Sequence, residues 1–139
     1  MGHPPEMQRE DIMAKFTWEH VHLRSPDPVA TAQWYHDMLG AEVIRTQMAD
    51  GSTRIDLNLS GQKVFIAHAD PAKAGAAPSS PYLGLDHFGL CTDNLDAAVA
   101  ELKAKGVAFT MEPKQIRPGT KIAFIVAPQN VSIELLQRD

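Results

Sequence analysis

The spacing of hydrophobic and polar residues predicts two amphipathic helices, one in each half of the chain. Apolar side chains recur at near-helical spacing within residues 29–39 and again within residues 95–102. Asp27 and Asn94 stand just before these stretches and are candidate N-cap residues, because their short side chains can accept hydrogen bonds from the first turn. A glycine follows each stretch and suits the left-handed position that ends many helices.

Short strand-like segments flank both helices. In the first half AEVIRTQ, STRIDLNL and KVFIAHA are separated by Asp50-Gly51 and Ser60-Gly61, pairs that are typical of hairpin turns. In the second half VAFTME, KIAFIVA and VSIELLQ are separated by PGT and PQN. A further short strand precedes each helix, so both halves are predicted to have the order βαβββ.

The two halves are an internal repeat. WEHVHLRSPDP in the first half aligns with LDHFGLCTDN in the second, and the offset between His20 and His87 is 67 residues. The extent of the repeat predicts one domain of two modules, 16–69 and 83–139. The intervening residues 70–82, rich in Ala, Pro, Ser and Gly, are predicted to be a linker. Residues 1–15 are predicted to be a disordered or tag-like arm.

Composition excludes several classes of function. The formal net charge is −4 and no basic run is present, which argues against a nucleic-acid or anionic-membrane partner. No apolar run approaches the roughly 18–20 residues needed to span a bilayer, and no signal peptide is recognisable. The single cysteine, Cys91, cannot form an intrachain disulfide and is predicted to be a small core residue. The predicted location is the cytoplasm.

The histidines are the candidate functional residues. In EHVHLRSPDP, His20 and His22 are two apart, so in a strand both side chains point to the same face. Taken alone, His20 is more typical of an ordinary strand histidine with a hydrogen-bond partner. Its repeat-matched counterpart His87 stands at the equivalent position of the second half. The sequence contains neither a Ser-His-Asp set nor a phosphate-binding glycine loop.

With these motifs in place, the chain resembles the vicinal oxygen chelate superfamily, the glyoxalase I and bleomycin-resistance fold. The stretches that carry the resemblance are EHVHLRSPDPVATAQWYHDMLG, LDHFGLCTDNLDAAVAELKAKGV and KIAFIVAPQNVSIELLQ, and together they extend from about Phe16 to Gln137. The resemblance implies an α+β fold in which two tandem βαβββ modules form a half-open eight-stranded barrel.

The resemblance also implies a metal site. It places ligands at His20, His87 and Glu134, a set that suits one divalent ion, with Ni, Co, Zn, Mn and Fe all open. The family's fourth position lies on the last strand of the first module, where alignment of KVFIAH favours Ile66 and leaves His68 as the alternative. Many relatives carry Glu or Gln there, and this chain carries neither.

Basic and polar residues near the implied cleft predict a small anionic substrate. In glyoxalase I relatives the position of Arg24 holds an arginine that meets a substrate carboxylate. Arg117 and Lys121 flank the PGT turn, where the same relatives use a basic residue. His22 and Asn58 are predicted to line the cleft. The alternative for each charged residue is an ordinary solvated position.

The function implied by the resemblance is that of a metal-dependent lyase or isomerase, similar to lactoylglutathione lyase. Such an enzyme binds vicinal oxygens and stabilises an enediolate or enolate, with Glu134 as the base and His68 as a second candidate. The alternatives are a metal-free binding protein of the bleomycin-resistance type, a single-barrel Fe(II) dioxygenase and a fosfomycin-type transferase. Relatives close the open barrel by pairing, so a homodimer is expected.

Overall fold

The computed structural model describes residues 15–139, and the predicted N-terminal arm lies outside these residues except for its last position. The first module has the predicted order of one strand, one helix and three strands. Its elements are β1 (His20–Ser25), α1 (Pro28–Leu39), β2 (Glu42–Gln47), β3 (Thr53–Leu59) and β4 (Gln62–His68).

The second module repeats this order. Its elements are β5 (Phe88–Cys91), α2 (Leu95–Ala104), β6 (Phe109–Arg117), β7 (Thr120–Ala127), a short 3-10 turn (Pro128–Asn130) and β8 (Val131–Arg138). The βαβββ prediction is therefore confirmed for both halves.

Each module forms a four-stranded sheet with the same topology. The strand orders are β1-β4-β3-β2 and β5-β8-β7-β6. In both sheets the first and last strands of the module pair in parallel, while the remaining neighbours are antiparallel. The two sheets are not joined by strand pairing into a closed cylinder, which confirms the expected α+β fold and its half-open barrel.

The helices begin and end where the sequence predicts. The Asp27 side chain accepts a hydrogen bond from the Ala30 amide, and the Asn94 side chain accepts one from the Ala97 amide. Gly40 has a φ of 72° at the end of α1, a left-handed conformation that glycine adopts without a steric penalty. These caps satisfy backbone groups that a helix end leaves without partners.

One face of each sheet packs against the helix of its own module. The largest fully buried apolar side chains are Tyr35, Leu57, Leu95, Ile125 and Ile133. Burying one such side chain contributes roughly 1.5–3 kcal/mol. Because strand residues alternate between faces, the other face of each sheet stays open and carries the polar residues of interest.

Cys91 differs from its prediction. Its side chain is exposed rather than part of the core, because β5 is the edge strand of its sheet and its open face is not covered within the chain. Among residues 15–139, no helix is both long enough and apolar enough to cross a membrane.

Candidate metal and substrate site

The open face of β1 carries alternate residues of the first strand. His20, His22 and Arg24 are exposed, whereas Val21 and Leu23 between them are partly buried. The two histidines therefore share a face, as their spacing predicts. Their ring centroids are 6.3 Å apart.

The open face of the second sheet contains a paired imidazole and carboxylate. His87 Nε2 lies 3.9 Å from Glu134 Oε1, and His87 Nδ1 lies 2.7 Å from Asp86 Oδ2. A proton on Nδ1 donated to Asp86 leaves Nε2 with a free lone pair directed toward Glu134. The rings of His87 and Phe124 form an edge-to-face pair, with the ring centroids 4.9 Å apart and the planes at 86°.

Gly89 lies next to this pair, and its surroundings leave little room for a side chain. Gly89 is exposed beside Glu134, and a Cβ atom at Gly89 would lie 3.6 Å from Glu134 Oε1 and 3.2 Å from Leu136 Cδ1. Imidazole nitrogens and carboxylate oxygens are ordinary ligands of Zn, Fe and related divalent ions. The oriented His87 and the adjacent carboxylate of Glu134 therefore fit two ligands of such an ion.

The first sheet has an aromatic stack at the corresponding place. The imidazole of His20 stacks on the ring of Phe65, with centroids 4.1 Å apart and an interplanar angle of 29°. Arg54 Cζ lies 4.4 Å from the same ring centroid. Arg54 is held there by Asp56, because its Nε is 2.8 Å from Asp56 Oδ2.

Strand register shows which residue of the first module corresponds to Glu134. Glu134 pairs with Gly89 on β5, two residues after His87. Phe65 pairs in the same way with His22 on β1, two residues after His20. Phe65 thus occupies the position that sequence alignment assigns to Ile66.

Ile66 and His68 lie elsewhere on β4. Ile66 is buried, with 5% of its surface exposed, so it belongs to the helix-facing core. His68 is an odd number of residues from Phe65, so strand alternation directs it away from the stacked face. At the strand end His68 borders a cavity of about 340 Å³ together with His22 and Arg54. Neither His87 nor Glu134 lines this cavity.

The expected ligand set is divided between the two sheets. Within residues 15–139, no three His, Cys, Asp or Glu side chains converge on one point that could hold a metal. Glu134 is next to His87 on the second sheet, whereas His20 is stacked on the first. His22, with its neighbours on β1, borders a crevice of about 130 Å³ that His87 also lines.

The predicted substrate-binding residues have different surroundings. Arg24 borders a cavity of about 680 Å³ whose other walls are linker residues and the turn before β8. Asn58 accepts a hydrogen bond of 2.7 Å from the Gly61 amide and thereby closes the β3–β4 turn. Lys121 lies 3.5 Å from Asp96 of α2, on the helix side of its sheet, which does not support a substrate contact. Arg117 is exposed at the end of β6.

Three residues of the site were not among the predicted site residues. Asp86 immediately precedes His87, and the shared acid-histidine pair of the repeat was a usable signal for it. Phe65 was missed because the alignment of the modules was shifted by one residue. Arg54 carried no signal beyond its place in a polar strand, because the hairpin at Ser60-Gly61 predicts that β3 and β4 pair but not the register that brings Arg54 to Phe65.

Comparison with known proteins agrees with this architecture. The family model described as Glyoxalase/Bleomycin resistance protein/Dioxygenase superfamily matches residues 17–135. Human mitochondrial methylmalonyl-CoA epimerase is 29% identical over 126 residues, covering 85% of this chain and 72% of that protein.

Two further relatives complete the comparison. A probable chloroplastic lactoylglutathione lyase of Arabidopsis thaliana is 30% identical over 129 residues, covering 86% of this chain, which spans about a third (35%) of that protein. The crystal structure of a glyoxalase family protein from Enterococcus faecalis is 26% identical with a TM-score of 0.70, covering 87% of this chain and 97% of that one.

Proposed function

The chain belongs to the Glyoxalase/Bleomycin resistance protein/Dioxygenase superfamily, and we propose that it is a divalent-metal-dependent enzyme of the lyase or isomerase type. Its substrate is a small anion that binds through two neighbouring oxygens and loses a proton from the adjacent carbon. The observation that carries this proposal is the His87–Glu134 pair, with Asp86 orienting the imidazole.

The proposed ligands are His20, His87 and Glu134. When bound, a divalent ion polarises the substrate oxygens and makes the neighbouring C–H bond more acidic. To bind the ion through Nε2, His87 must carry its proton on Nδ1. The contact between Nδ1 and Asp86 favours this tautomer. His20 must turn from its present direction toward the other two ligands, or meet the corresponding residues of a second copy.

Glu134 is the proposed base. Its side chain is 20% exposed, so one carboxylate oxygen can face a substrate in the open face of the sheet. A carboxylate in this position accepts the proton from the substrate carbon and returns it to the same or the neighbouring carbon. This step is common to the lyase and epimerase activities named for the two curated relatives.

A homodimer is part of the proposal. Exposed apolar side chains occur at equivalent positions just before the first strand of each module: Phe16 (87% exposed) with Leu83 (100%), and Trp18 (74%) with Leu85 (75%). Such a repeated apolar edge is a surface that a second copy can cover. Light scattering coupled to size-exclusion chromatography tests this, and a monomer at all concentrations would contradict it.

The metal proposal is tested with protein stripped by a chelator. We expect about one equivalent of Ni²⁺, Co²⁺, Zn²⁺, Mn²⁺ or Fe²⁺ to bind in calorimetric titration, and His87→Ala to remove most of that binding. His68→Ala is the matched control and keeps wild-type affinity if His68 is not a ligand. If stripped wild-type protein binds none of the five ions, the proposal fails.

The proton transfer is tested by isotope exchange. Methylmalonyl-CoA and the adduct of methylglyoxal with glutathione serve as probes in D₂O, with deuterium incorporation at carbon followed by NMR. Removal of a positioned base lowers rates by roughly 10²–10⁴-fold, so Glu134→Gln should lower the exchange of whichever probe reacts by about that factor. An unchanged rate in Glu134→Gln would contradict the role of Glu134.

One observation favours a second candidate, a metal-free binding protein. The stack of His20, Phe65 and Arg54 forms a planar aromatic and cationic surface that can hold an organic ligand without an ion. Failure of metal binding in the titration above would favour this candidate.

A further inference from the structure

The turn between β7 and β8 lies where two cavities meet. One is the cavity of about 680 Å³ that Arg24 borders, and the other is the crevice of about 130 Å³ that His87 lines. The residues that line both are His22, Leu23, Pro78, Gln129 and Val131. Of these, only His22 and Gln129 have polar side chains. Gln129, which is exposed, therefore lies between the predicted anion-binding arginine and His87.

The backbone of this turn has an unfavourable conformation. Gln129 has a φ of 62° and Asn130 has a φ of 59°, both in the left-handed region. Asn adopts this conformation more readily than other residues that carry a Cβ atom, so the strain falls mainly on Gln129. Non-glycine residues in this conformation are concentrated at ligand sites, where the surrounding structure holds them in place.

The turn is fixed against the linker. Asn130 Nδ2 donates a 2.7 Å hydrogen bond to the Pro78 carbonyl, and Pro78 lines both cavities. At the other end of the larger cavity, the Ala69 amide donates a 2.9 Å hydrogen bond to the Ser25 carbonyl at the end of β1. The linker is thus tied to both modules, and these ties set the position of Gln129 relative to the end of β1.

We propose that Gln129 is a substrate-binding residue whose carboxamide hydrogen-bonds to an uncharged polar group in the middle of the substrate. The inference rests on the anionic substrate of the proposed function and does not depend on a bound metal ion. The substrate then has an anionic end at Arg24, an amide or hydroxyl group at Gln129 and its reacting end at His87. A carboxamide both donates and accepts hydrogen bonds, so it matches an amide or hydroxyl group and disfavours an apolar chain that would leave it unpaired.

The experiment measures binding to chelator-stripped protein by calorimetry, with methylmalonyl-CoA and glutathione as the probes. Both probes carry amide groups as well as anionic groups. Gln129→Met keeps a side chain of similar length without a hydrogen-bonding group, so it should weaken the Kd of the probe that binds by about tenfold. In the D₂O exchange assay the same variant should raise KM by a similar factor and leave kcat unchanged, because the contact is made equally in the ground state and the transition state.

A matched pair of glycine variants separates the contact from the backbone strain. Ser60 has a φ of 53° at the tip of the β3–β4 hairpin and lines a different cavity, of about 580 Å³. Glycine relieves the left-handed strain at either position, so Gln129→Gly and Ser60→Gly should both raise the melting temperature by roughly 2–4 °C. Only Gln129→Gly should lose probe affinity, by the same factor as Gln129→Met.

The outcomes separate the inference from the proposed function. If a probe binds wild type and Gln129→Met with equal affinity, the role of Gln129 is wrong and the proposed function stands. A melting temperature of Gln129→Gly below that of wild type, or an equal loss of affinity in Ser60→Gly, would also overturn the inference. If binding depends on Gln129 but neither probe exchanges a proton, the inference stands and the proposed proton transfer on these probes is wrong. Failure of both probes to bind wild type overturns the inference together with the anionic substrate on which it rests.

Discussion

Replacing Tyr35 by phenylalanine should stabilise the protein. Tyr35 lies on α1 with none of its surface exposed, and its hydroxyl oxygen is buried with no hydrogen-bond partner among the described residues. In the unfolded chain this hydroxyl is hydrogen-bonded to water. Folding therefore removes a polar group from water without compensation, and Tyr35→Phe deletes that group while keeping the ring.

The magnitude follows from two opposing terms. A buried unpartnered polar group costs about 1–3 kcal/mol. Deleting the oxygen leaves a void of roughly 12 Å³. At about 24 cal/mol per Å³ this void reduces the gain in stability by about 0.3 kcal/mol. The free energy of unfolding should rise by about 1 kcal/mol, which for a chain of this length corresponds to a melting temperature higher by roughly 3–5 °C.

The same burial predicts how the difference depends on pH. Burial raises the pKa of Tyr35 well above its ordinary value near 10, because the phenolate is poorly solvated in the core. Because the pKa of Tyr35 is higher in the folded than in the unfolded state, the unfolded state loses its proton first as the pH rises. The contribution of Tyr35 to the free energy of unfolding is therefore intact below pH 10 and is lost as the pH rises above it. The advantage of Tyr35→Phe should therefore widen above pH 10, by up to about 1.4 kcal/mol per pH unit.

Urea denaturation followed by circular dichroism measures both effects, at pH 7 and at steps between pH 9 and 11. Tyr82→Phe is the matched control, because the Tyr82 hydroxyl donates a 3.2 Å hydrogen bond to the Asp86 carbonyl in an exposed setting. The control should be neutral or slightly destabilising. The reasoning would be refuted if Tyr35→Phe were less stable than wild type at pH 7, or if the difference stayed constant up to pH 11.

Three further substitutions test the site and the core. Asp86→Asn should weaken metal binding by about tenfold in calorimetric titration, because it disturbs the group that orients the imidazole; equal affinities would argue against that role. Gly89→Ala places a methyl group 3.2 Å from Leu136 Cδ1 and 3.6 Å from Glu134 Oε1. Turnover should fall because the methyl group crowds the Glu134 carboxylate, whereas the melting temperature should change little if the Leu136 side chain shifts by a few tenths of an ångström. A large loss of stability there would show that the contact with Leu136 dominates. Ile133→Ala removes a side chain with 0% exposure and should lower the free energy of unfolding by about 2–5 kcal/mol in urea titration; a loss below 1 kcal/mol would contradict the packing described.

The candidate site could be predicted only in part. The internal repeat was sufficient to pair His20 with His87, and the family resemblance implied Glu134, in SIELL on the last strand, as a further ligand. The role of these three residues as ligands stays a prediction. The carboxylate of Asp86 could have been inferred from its position before His87, yet its contact with Nδ1 depends on side-chain conformation.

The sequence by itself determined the order and type of the elements. Helical periodicity, the caps at Asp27 and Asn94, and hairpin pairs such as Ser60-Gly61 act over a few residues, so they can be recognised along the chain. The repeat extended this local information to two equivalent modules. Alternation within β1 likewise placed His20 and His22 on one face.

Only the tertiary structure decided which residues meet across strands. Phe65 follows His20 by two residues fewer than Glu134 follows His87. The difference arises from unequal loops and from the register shifts of β6, which a uniform alignment does not contain. In the same way, only the fold shows that Lys121 points toward α2, where its Nζ lies 3.5 Å from Asp96 Oδ2. Strand register and helix placement depend on contacts between distant segments, and local patterns do not encode them.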